Sequence, residues 1–222
     1  MIHIENLRYR LLAIDFLSLN TGVTSVIGPN GSGKTTLLKL CAGIALPESG
    51  SILIEGTTPR AMDIGWVNEF PDRNFIFGSV VDEVASALRF RHLPPGEITQ
   101  RTSECRERFG LTRLSNRAVG DLSGGEKVIV ALAAALVQHP AILILDECDS
   151  HLDSRCMQTS DQLIRESHIP YVIRSTQDME AAAESDCVVF LEDGRVRHSG
   201  RPEQVFAGLC DTPFYPLSWR WR

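Results

Sequence analysis

The sequence contains no hydrophobic run long enough to cross a bilayer. Its longest apolar run, residues 128–137, is followed by Gln138, His139 and Pro140, whereas a membrane-spanning helix needs about 20 apolar residues. The first five residues show neither the basic flank nor the apolar stretch of a signal peptide. We therefore expect a cytoplasmic chain without a transmembrane segment.

The sequence also lacks an excess of positive charge. It has 22 lysine and arginine residues against 28 aspartate and glutamate residues, a formal net charge of -6. Non-specific binding to nucleic acid depends on basic side chains that neutralise phosphates, so this balance predicts no nucleic-acid partner. Hydrophobic residues make up 43% and charged residues 23% of the chain, which is typical of a folded globular protein and not of a disordered one.

Paired cysteines, internal repeats and low-complexity tracts are absent as well. The six cysteines form no Cys-x-x-Cys pair, and a chain of 222 residues is too large to need disulfide stapling. We interpret the cysteines as reduced thiols that act as small hydrophobic side chains. Because there is no long linker, any second structural unit must be an insertion within the fold.

Short apolar runs and helical patterns alternate along the chain. The apolar runs are residues 23–27, 141–145, 171–173 and 188–191, and the helical patterns are residues 35–42, 127–137 and 154–166. Unbroken apolar runs of this length favour strands that are buried on both faces of a mainly parallel sheet. Their alternation with helices predicts an α/β layered fold.

Three regions add to this pattern. Polar and apolar residues alternate over the first 27 residues, which predicts an antiparallel β side-sheet. Asp193-Gly194 predicts a tight turn into a further strand. Residues from about 80 to 121 are charged, helical in pattern and interrupted by Pro94-Pro95-Gly96. We interpret this stretch as an inserted α-helical subdomain.

A glycine-rich motif follows the first apolar run. Residues 28–35, Gly-Pro-Asn-Gly-Ser-Gly-Lys-Thr, match the P-loop pattern G-x-x-x-x-G-K-[ST] between a predicted strand and a predicted helix. Glycines let backbone N–H groups turn toward an anion, and the helix N-terminus adds partial positive charge. Lys34 brings a mobile charge to the outer phosphates, and the Thr35 hydroxyl can ligate Mg²⁺. The sequence therefore predicts a P-loop NTPase core.

Two carboxylates, Asp146 and Glu147, end the apolar strand that begins near residue 141. In a parallel sheet the carboxyl end of this strand lies beside the P-loop. There Asp146 could belong to the Mg²⁺ shell, and Glu147 could polarise an attacking water. An acidic loop after a strand is the structural alternative.

A helix start at residues 122–126 reads Leu-Ser-Gly-Gly-Glu. Ser123 and Glu126 have capping-box spacing, which is a sufficient structural explanation by itself. The two consecutive glycines also expose backbone donors at the head of a helix whose dipole favours anions. With these residues the chain resembles the ATP-binding cassette (ABC) ATPases, whose signature is L-S-G-G-Q or a close variant. The resemblance covers nearly all of residues 1–222 and implies a single nucleotide-binding domain.

The resemblance implies that two such cassettes pair head to tail around MgATP, each ATP lying between the P-loop of one subunit and the signature of the other. Nucleotide contacts are then implied for Tyr9, Gly28, Asn30, Gly31, Ser32, Gly33, Lys34, Thr35, Thr36, Ser123, Gly124, Gly125 and Glu126. Metal contacts are implied for Thr35, Glu69 and Asp146, and catalytic roles for Lys34, Glu147 and Gln177. Residues 150–153 resemble the D-loop, which contacts the partner cassette. For Tyr9, expected under the adenine, a packed surface tyrosine is the alternative.

Three positions depart from the family pattern. Glu69 stands where the family has a glutamine that senses Mg²⁺ and the γ-phosphate, and it adds negative charge there. Gln177 stands where relatives have a histidine that contacts the γ-phosphate, and it cannot become cationic or shuttle a proton. Cys148 replaces a common proline after Glu147. We predict that the chain binds MgATP well and hydrolyses it slowly.

Residues 69–82 are similar to segments of the energy-coupling factor ATPases, which serve importers of vitamins and of cobalt or nickel ions. This resemblance implies separate transmembrane subunits that hold the chain at the inner face of the membrane. We predict that a coupling helix of such a subunit docks in a groove around Phe75, Phe77 and Val80, with internal packing of these side chains as the alternative.

Two other functions are compatible with the same motifs. One is a low-activity regulatory subunit paired with an active cassette, which Gln177 supports. The other is a soluble ABC ATPase outside transport, although the chain has no room for the long coiled coil or second cassette usual in that class. The aromatic and basic residues 214–222 are expected to pack on the body of the protein or to be disordered.

Overall fold

The computed structural model describes residues 1–148, 152 and 154–221, without the side chains of residues 72, 154 and 221. The strands are β1 Ile2–Tyr9, β2 Leu12–Leu19, β3 Gly22–Ile27, β4 Ser49–Ile54, β5 Ile64–Val67, β6 Ile142–Asp146, β7 Tyr171–Ser175, β8 Cys187–Glu192 and β9 Arg195–Gly200. The α-helices are α1 Lys34–Cys41, α2 Val80–Phe90, α3 Pro95–Arg108, α4 Gly124–Leu136, α5 Ser154–Glu166, α6 Met179–Ala183 and α7 Pro202–Ala207. Short 3-10 turns cover Pro59–Ala61, Pro71–Arg73, Thr112–Leu114, Val119–Asp121 and Leu217–Trp221. Within these described ranges, no helix is long and apolar enough to cross a membrane.

Six strands form the central sheet in the order β5-β6-β7-β3-β8-β9. The first five run parallel to their neighbours, and β9 pairs antiparallel with β8. Every residue of β6 and β7 is buried, because helices cover both faces of the sheet, and this burial explains the unbroken apolar runs of the sequence. The predicted α/β fold with a mainly parallel sheet is confirmed.

The strand register brings three loops to one edge of the sheet. Ser175 of β7 pairs with Val26 of β3 on one side and with Asp146 of β6 on the other. The carboxyl ends of these three parallel strands therefore lie side by side. The loop after β3 is the P-loop, the loop after β6 begins with Glu147, and the loop after β7 carries Gln177. Their proximity follows from the sheet topology, as expected at the carboxyl ends of parallel strands.

A second sheet has the order β2-β1-β4 and is antiparallel throughout. Its inward residues, among them Ile2, Ile4 and Leu7, are fully buried against α1 and the central sheet. This is the predicted side-sheet, although β4 was not predicted. The predicted turn after β8 is also present, since Asp193 and Gly194 both have positive φ, 48° and 73°, as a two-residue hairpin turn requires.

Residues 80–121 contain α2, α3 and two 3-10 turns, in agreement with the predicted helical character. Ser79 caps α2 by accepting a hydrogen bond from the Asp82 N–H, and apolar side chains of α2 pack with those of α4 in one core cluster. Val80 is fully buried in that cluster. The prediction that Val80 lines a docking groove was therefore wrong, because its side chain serves internal packing.

Candidate nucleotide-binding site

The P-loop between β3 and α1 has a backbone that only glycine can adopt without strain. Gly28 has φ 145° and Gly33 has φ 105°, in the region that disfavours residues with a Cβ. A Cβ on Gly28 would lie 2.0 Å from the Leu191 carbonyl oxygen. Helix α1 begins at Lys34, directly after Gly33. The loop is thus a main-chain cradle at a helix N-terminus, which suits a phosphate group.

The Lys34 ammonium group is buried and lies within the P-loop. Its Nζ donates to the carbonyl oxygens of Gly28 at 3.1 Å and Pro29 at 3.3 Å. Nζ also lies 3.4 Å from Oε1 of Glu147, and the Lys34 side chain is only 6% exposed. Glu147 is therefore the counter-ion of Lys34 in this structure. A triphosphate in the cradle would compete with Glu147 for the same ammonium group.

Asp146 accepts two hydroxyl hydrogen bonds at the end of β6. Thr35 Oγ1 and Ser175 Oγ each donate to its Oδ1 at 2.9 Å, and Asp146 is 7% exposed. Hydroxyl and carboxylate oxygens are the ligands that Mg²⁺ prefers, and Mg²⁺ takes further oxygens from water or phosphate. The Thr35 and Asp146 oxygens therefore fit the predicted magnesium site.

Glu147 is held between two side chains that bind its two carboxylate oxygens. Gln177 Nε2 donates to Oε2 at 2.7 Å, opposite the Lys34 contact to Oε1. The backbone of Glu147 has a positive φ of 47°, and its N–H donates to both the carbonyl and the hydroxyl oxygen of Ser175. Strained backbone held by surrounding contacts is frequent at catalytic residues. Gln177 thus binds the candidate catalytic carboxylate directly.

A cleft of about 430 Å³ opens above the cradle. It is lined by Asn30, Gly31, Gly33, Lys34, Thr35, Thr36, Glu69, Glu147 and Gln177. The fold therefore brings together P-loop residues, the two substituted sensor positions and the candidate general base. Gly28, Ser32 and Asp146 do not line the cleft, and both Ser32 and Asp146 are buried.

Tyr9 lies apart from this cleft, at the end of β1. It is half-buried, and the Arg10 guanidinium lies 5.3 Å from the centroid of its ring. No local sequence pattern indicates this cation–π contact. Stacking of Tyr9 on adenine stays a prediction.

The signature residues form the N-terminus of α4 and do not line the cleft of their own chain. Ser123 accepts from the Glu126 N–H, and the Ser123 N–H donates to the Glu126 carboxylate at 2.8 Å, so the capping box is confirmed. The Ser123 N–H, and its hydroxyl to a lesser degree, hold the pKa of Glu126 below its usual value. Within the described residues, nothing lies within 4 Å of a Cβ placed on Gly124, whereas one on Gly125 would lie 2.5 Å from Cys156 Sγ.

The difference in free space at Gly124 and Gly125 predicts that alanine destabilises the protein more at Gly125 than at Gly124. Gly125→Ala should destabilise the protein by about 1–3 kcal/mol, the usual cost of overpacking, because its methyl group meets the Cys156 sulfur. Cys156→Ala should remove that clash, so the double variant should be more stable in urea than the two single effects predict by addition. Gly124→Ala, which meets no neighbour, is the matched control. Additive effects in the double variant would contradict this packing.

The predicted D-loop, residues 150–153, lies outside the described residues except for Leu152, which packs against the cluster shared by α2 and α4. Sequence reasoning missed Ser175, whose hydroxyl links Asp146 to the backbone of Glu147. The available signal was a serine at the end of an otherwise apolar strand. A hydroxyl there can bond the end of a neighbouring strand, here β6, but only the strand register shows which strand that is.

A main-chain phosphate cradle, a hydroxyl and carboxylate pair for a metal ion, and a carboxylate facing the cleft define a P-loop NTPase. The family model for ABC transporters matches residues 15–150. The chain belongs to this ABC transporter family of ATP-binding ATPases, as its sequence predicted.

Individual relatives agree with this assignment. Over 193 residues the chain is 37% identical to the energy-coupling factor transporter ATP-binding protein EcfA1 of Lacticaseibacillus paracasei, which covers 82% of this chain and 69% of that protein. The corresponding protein of Streptococcus pyogenes is 36% identical over 193 residues, which again cover 82% of this chain and 69% of that protein. Among solved structures, cbiO1 from Clostridium perfringens, described as part of the ABC transporter complex cbiONQ, has a TM-score of 0.83 and 31% identity over 93% of this chain and 90% of its own. The dimeric bacterial cassette MJ0796 has a TM-score of 0.79 and 26% identity over 91% and 99%.

Proposed function

We propose that the chain hydrolyses MgATP as the ATPase subunit of an energy-coupling factor importer. The observation that carries this proposal is the cleft in which Lys34, Glu147 and Gln177 meet at the P-loop. The similarity to energy-coupling factor ATP-binding proteins supports the importer class. In this proposal residues 1–222 act as one nucleotide-binding domain, with the helical stretch at about 80–121 as its insertion.

Lys34 and the P-loop amides would bind the β- and γ-phosphates of ATP. The Glu147 carboxylate, freed from Lys34 as phosphate takes over the ammonium group, would accept a proton from the attacking water. Gln177 would keep Glu147 oriented through the 2.7 Å hydrogen bond already present. Thr35, Asp146 and Glu69 would hold Mg²⁺, which offsets phosphate charge when it is bound.

The position of the signature residues at the N-terminus of α4 supports a head-to-tail pair of cassettes as the active assembly. Ser123, Gly124 and Gly125 lie at a helix N-terminus outside the cleft of their own chain. This helix N-terminus can therefore contact a nucleotide that is bound by a second cassette. Helix N-termini favour anions. We propose that each ATP is enclosed by the cradle of one subunit and the signature of a second copy or a related ATPase.

Gln177 also favours a second candidate, a regulatory subunit with low activity. Its amide binds Glu147, but it cannot carry the positive charge that a histidine would bring to the γ-phosphate. In a pair with an active cassette, such a site would bind ATP and contribute mainly to dimer closure. Comparing phosphate release by the chain alone and by the chain with its partner ATPase separates the two candidates.

Exposed apolar side chains lie together on the helical side of the molecule. Ile76 is 67% exposed and Phe90 is 61% exposed, and the Phe77 ring lies 6.3 Å from that of Phe90. The buried Glu83 carboxylate accepts from the N–H groups of Ile76 and Phe77 at 2.8 Å, which fixes the segment that carries them. We propose that the docking surface Ile76, Phe77 and Phe90 receives a coupling helix of a membrane subunit and holds the chain at the inner membrane face.

Substitutions on this surface test the importer assignment. Ile76→Ser with Phe90→Ser should lower co-purification of the transmembrane subunits at least tenfold, because central apolar anchors dominate binding energy. ATP binding by the isolated chain should be unchanged. Phe16→Ser, which removes a side chain 63% exposed on β2, is the matched control. Equal recovery of membrane subunits with the double variant and the control would contradict the proposed docking.

A further inference from the structure

Helix α6 begins two residues after Gln177 and is only five residues long. Asp178 caps it by accepting from the N–H groups of Glu180 and Ala181 at 2.9 and 3.2 Å. A helix of this length is not stable by its own hydrogen bonds, because helix nucleation is unfavourable. The position of α6, and of the loop that carries Gln177, therefore depends on contacts with the rest of the protein.

One anchor of α6 is Arg174, a buried arginine within β7 that is 8% exposed. Its guanidinium donates to the Ala181 carbonyl oxygen of α6 at 2.5 Å and to Asp161 of α5 at 2.9 Å. It also donates to Ser25 of β3 at 3.0 Å. Arg174 thus fixes the buried face of α6 to the central sheet.

A further anchor, beside the fully buried Ala182, is the aromatic segment, residues 212–220. The Ser218 N–H and hydroxyl donate to the two carboxylate oxygens of Glu180 at 2.9 and 2.5 Å. Trp219 packs edge-on against Phe206 with ring centroids 5.5 Å apart, and Phe206 is fully buried. Because Phe206 belongs to α7, the segment joins the first turn of α6 to the core beneath α7.

We propose that the aromatic segment is a positioning element for the ATPase site: Trp219 anchors it on Phe206, and Ser218 holds Glu180 and thereby orients Gln177 on Glu147. The distance along the chain from Glu180 to Gln177 is short, since Glu180 is three residues from Gln177 and lies in the first turn of α6. Neither Ser218 nor Trp219 lines the nucleotide cleft. This inference rests on the proposed function, because it assigns Gln177 a role in hydrolysis.

The proposal predicts an effect on turnover and not on nucleotide affinity. Lys34 begins α1 and the P-loop lies between β3 and α1, so the groups that would bind the phosphates belong to elements other than α6, and ATP binding should stay intact. Loosening α6 should instead let Gln177 leave Glu147. We expect Ser218→Ala with Glu180→Ala to lower kcat about three- to tenfold and to leave KM for ATP within twofold.

A double-variant cycle with Gln177 separates an effect that acts through Gln177 from general destabilisation of the protein. Phosphate release by the purified full chain is measured for wild type, for Ser218→Ala with Glu180→Ala, for Gln177→Ala and for all three changes together. The triple variant should be no slower than Gln177→Ala alone, because the segment acts through Gln177. Ser218→Thr, which keeps the hydroxyl, should retain wild-type kcat, and Glu203→Ala on α7 controls for the lost charge.

Two results would overturn the inference. One is an unchanged kcat in the variant that lacks both the Ser218 hydroxyl and the Glu180 carboxylate. The other is an equal fold-loss with and without Gln177, which a merely structural role predicts. Failure of the proposed function is distinguishable, since wild type itself would then release no phosphate.

Discussion

Replacing Glu147 by glutamine should lower single-turnover hydrolysis of MgATP about 100-fold or more. A positioned general base contributes roughly 10²–10⁴ in rate, and glutamine has the size of glutamate but cannot accept the proton from water. The Gln177 amide can still donate to the new side chain, so the geometry of the loop should survive. ATP binding should persist, because the cradle is made of main-chain amides and Lys34.

The same variant should accumulate an ATP-dependent dimer, alone or with a related ATPase, because closure is no longer followed by hydrolysis. Quenched-flow phosphate release and gel filtration with ATP measure the two effects. Glu203→Gln, an exposed glutamate on α7, is the matched control. An unchanged rate for Glu147→Gln would remove this residue from the mechanism.

Replacing Lys34 by alanine should weaken ATP binding about 10- to 100-fold. Hydrogen bonds to charged groups contribute about 1.5–3 kcal/mol, and the Lys34 ammonium group is the buried cation that faces Glu147 in the cleft. The variant also leaves the Glu147 carboxylate without its counter-ion, which disfavours the approach of a triphosphate.

Calorimetric titration with MgATP measures the affinity, and the rise in melting temperature with ATP gives a second readout, since a ligand stabilises the state that binds it. Lys39→Ala is the matched control, because Lys39 is an exposed lysine in the last turn of the same helix. Equal affinity in the Lys34 variant and the Lys39 control would show that the triphosphate binds elsewhere.

Strands β3, β6, β7 and β8 of the central sheet could be predicted because burial on both faces leaves a local signature. β6 and β7 are buried at every position and read as short apolar runs. β4, by contrast, begins with the exposed pair Ser49-Gly50 and has no such signature. Its pairing with β1 is fixed by a partner more than 40 positions earlier in the chain, which no local pattern encodes.

In the candidate site, too, features that are local in sequence could be predicted and contacts between distant residues could not. The P-loop and the capping box at Ser123 are local in sequence and were predictable from spacing. The resemblance to ABC ATPases indicated Glu69 and Gln177, and the structure places both in the cleft. Contacts between distant residues were not predictable, among them the packing of Gly125 on Cys156 and the full burial of Val80. They depend on how helices meet in three dimensions.

A crystal structure of the Glu147→Gln protein with MgATP tests the central proposal most directly. The triphosphate should lie on the main-chain amides around Lys34 of one polypeptide and be covered by the Ser123 and Gly124 end of α4 from another. A nucleotide enclosed by one polypeptide alone, or bound away from the P-loop, would contradict the account.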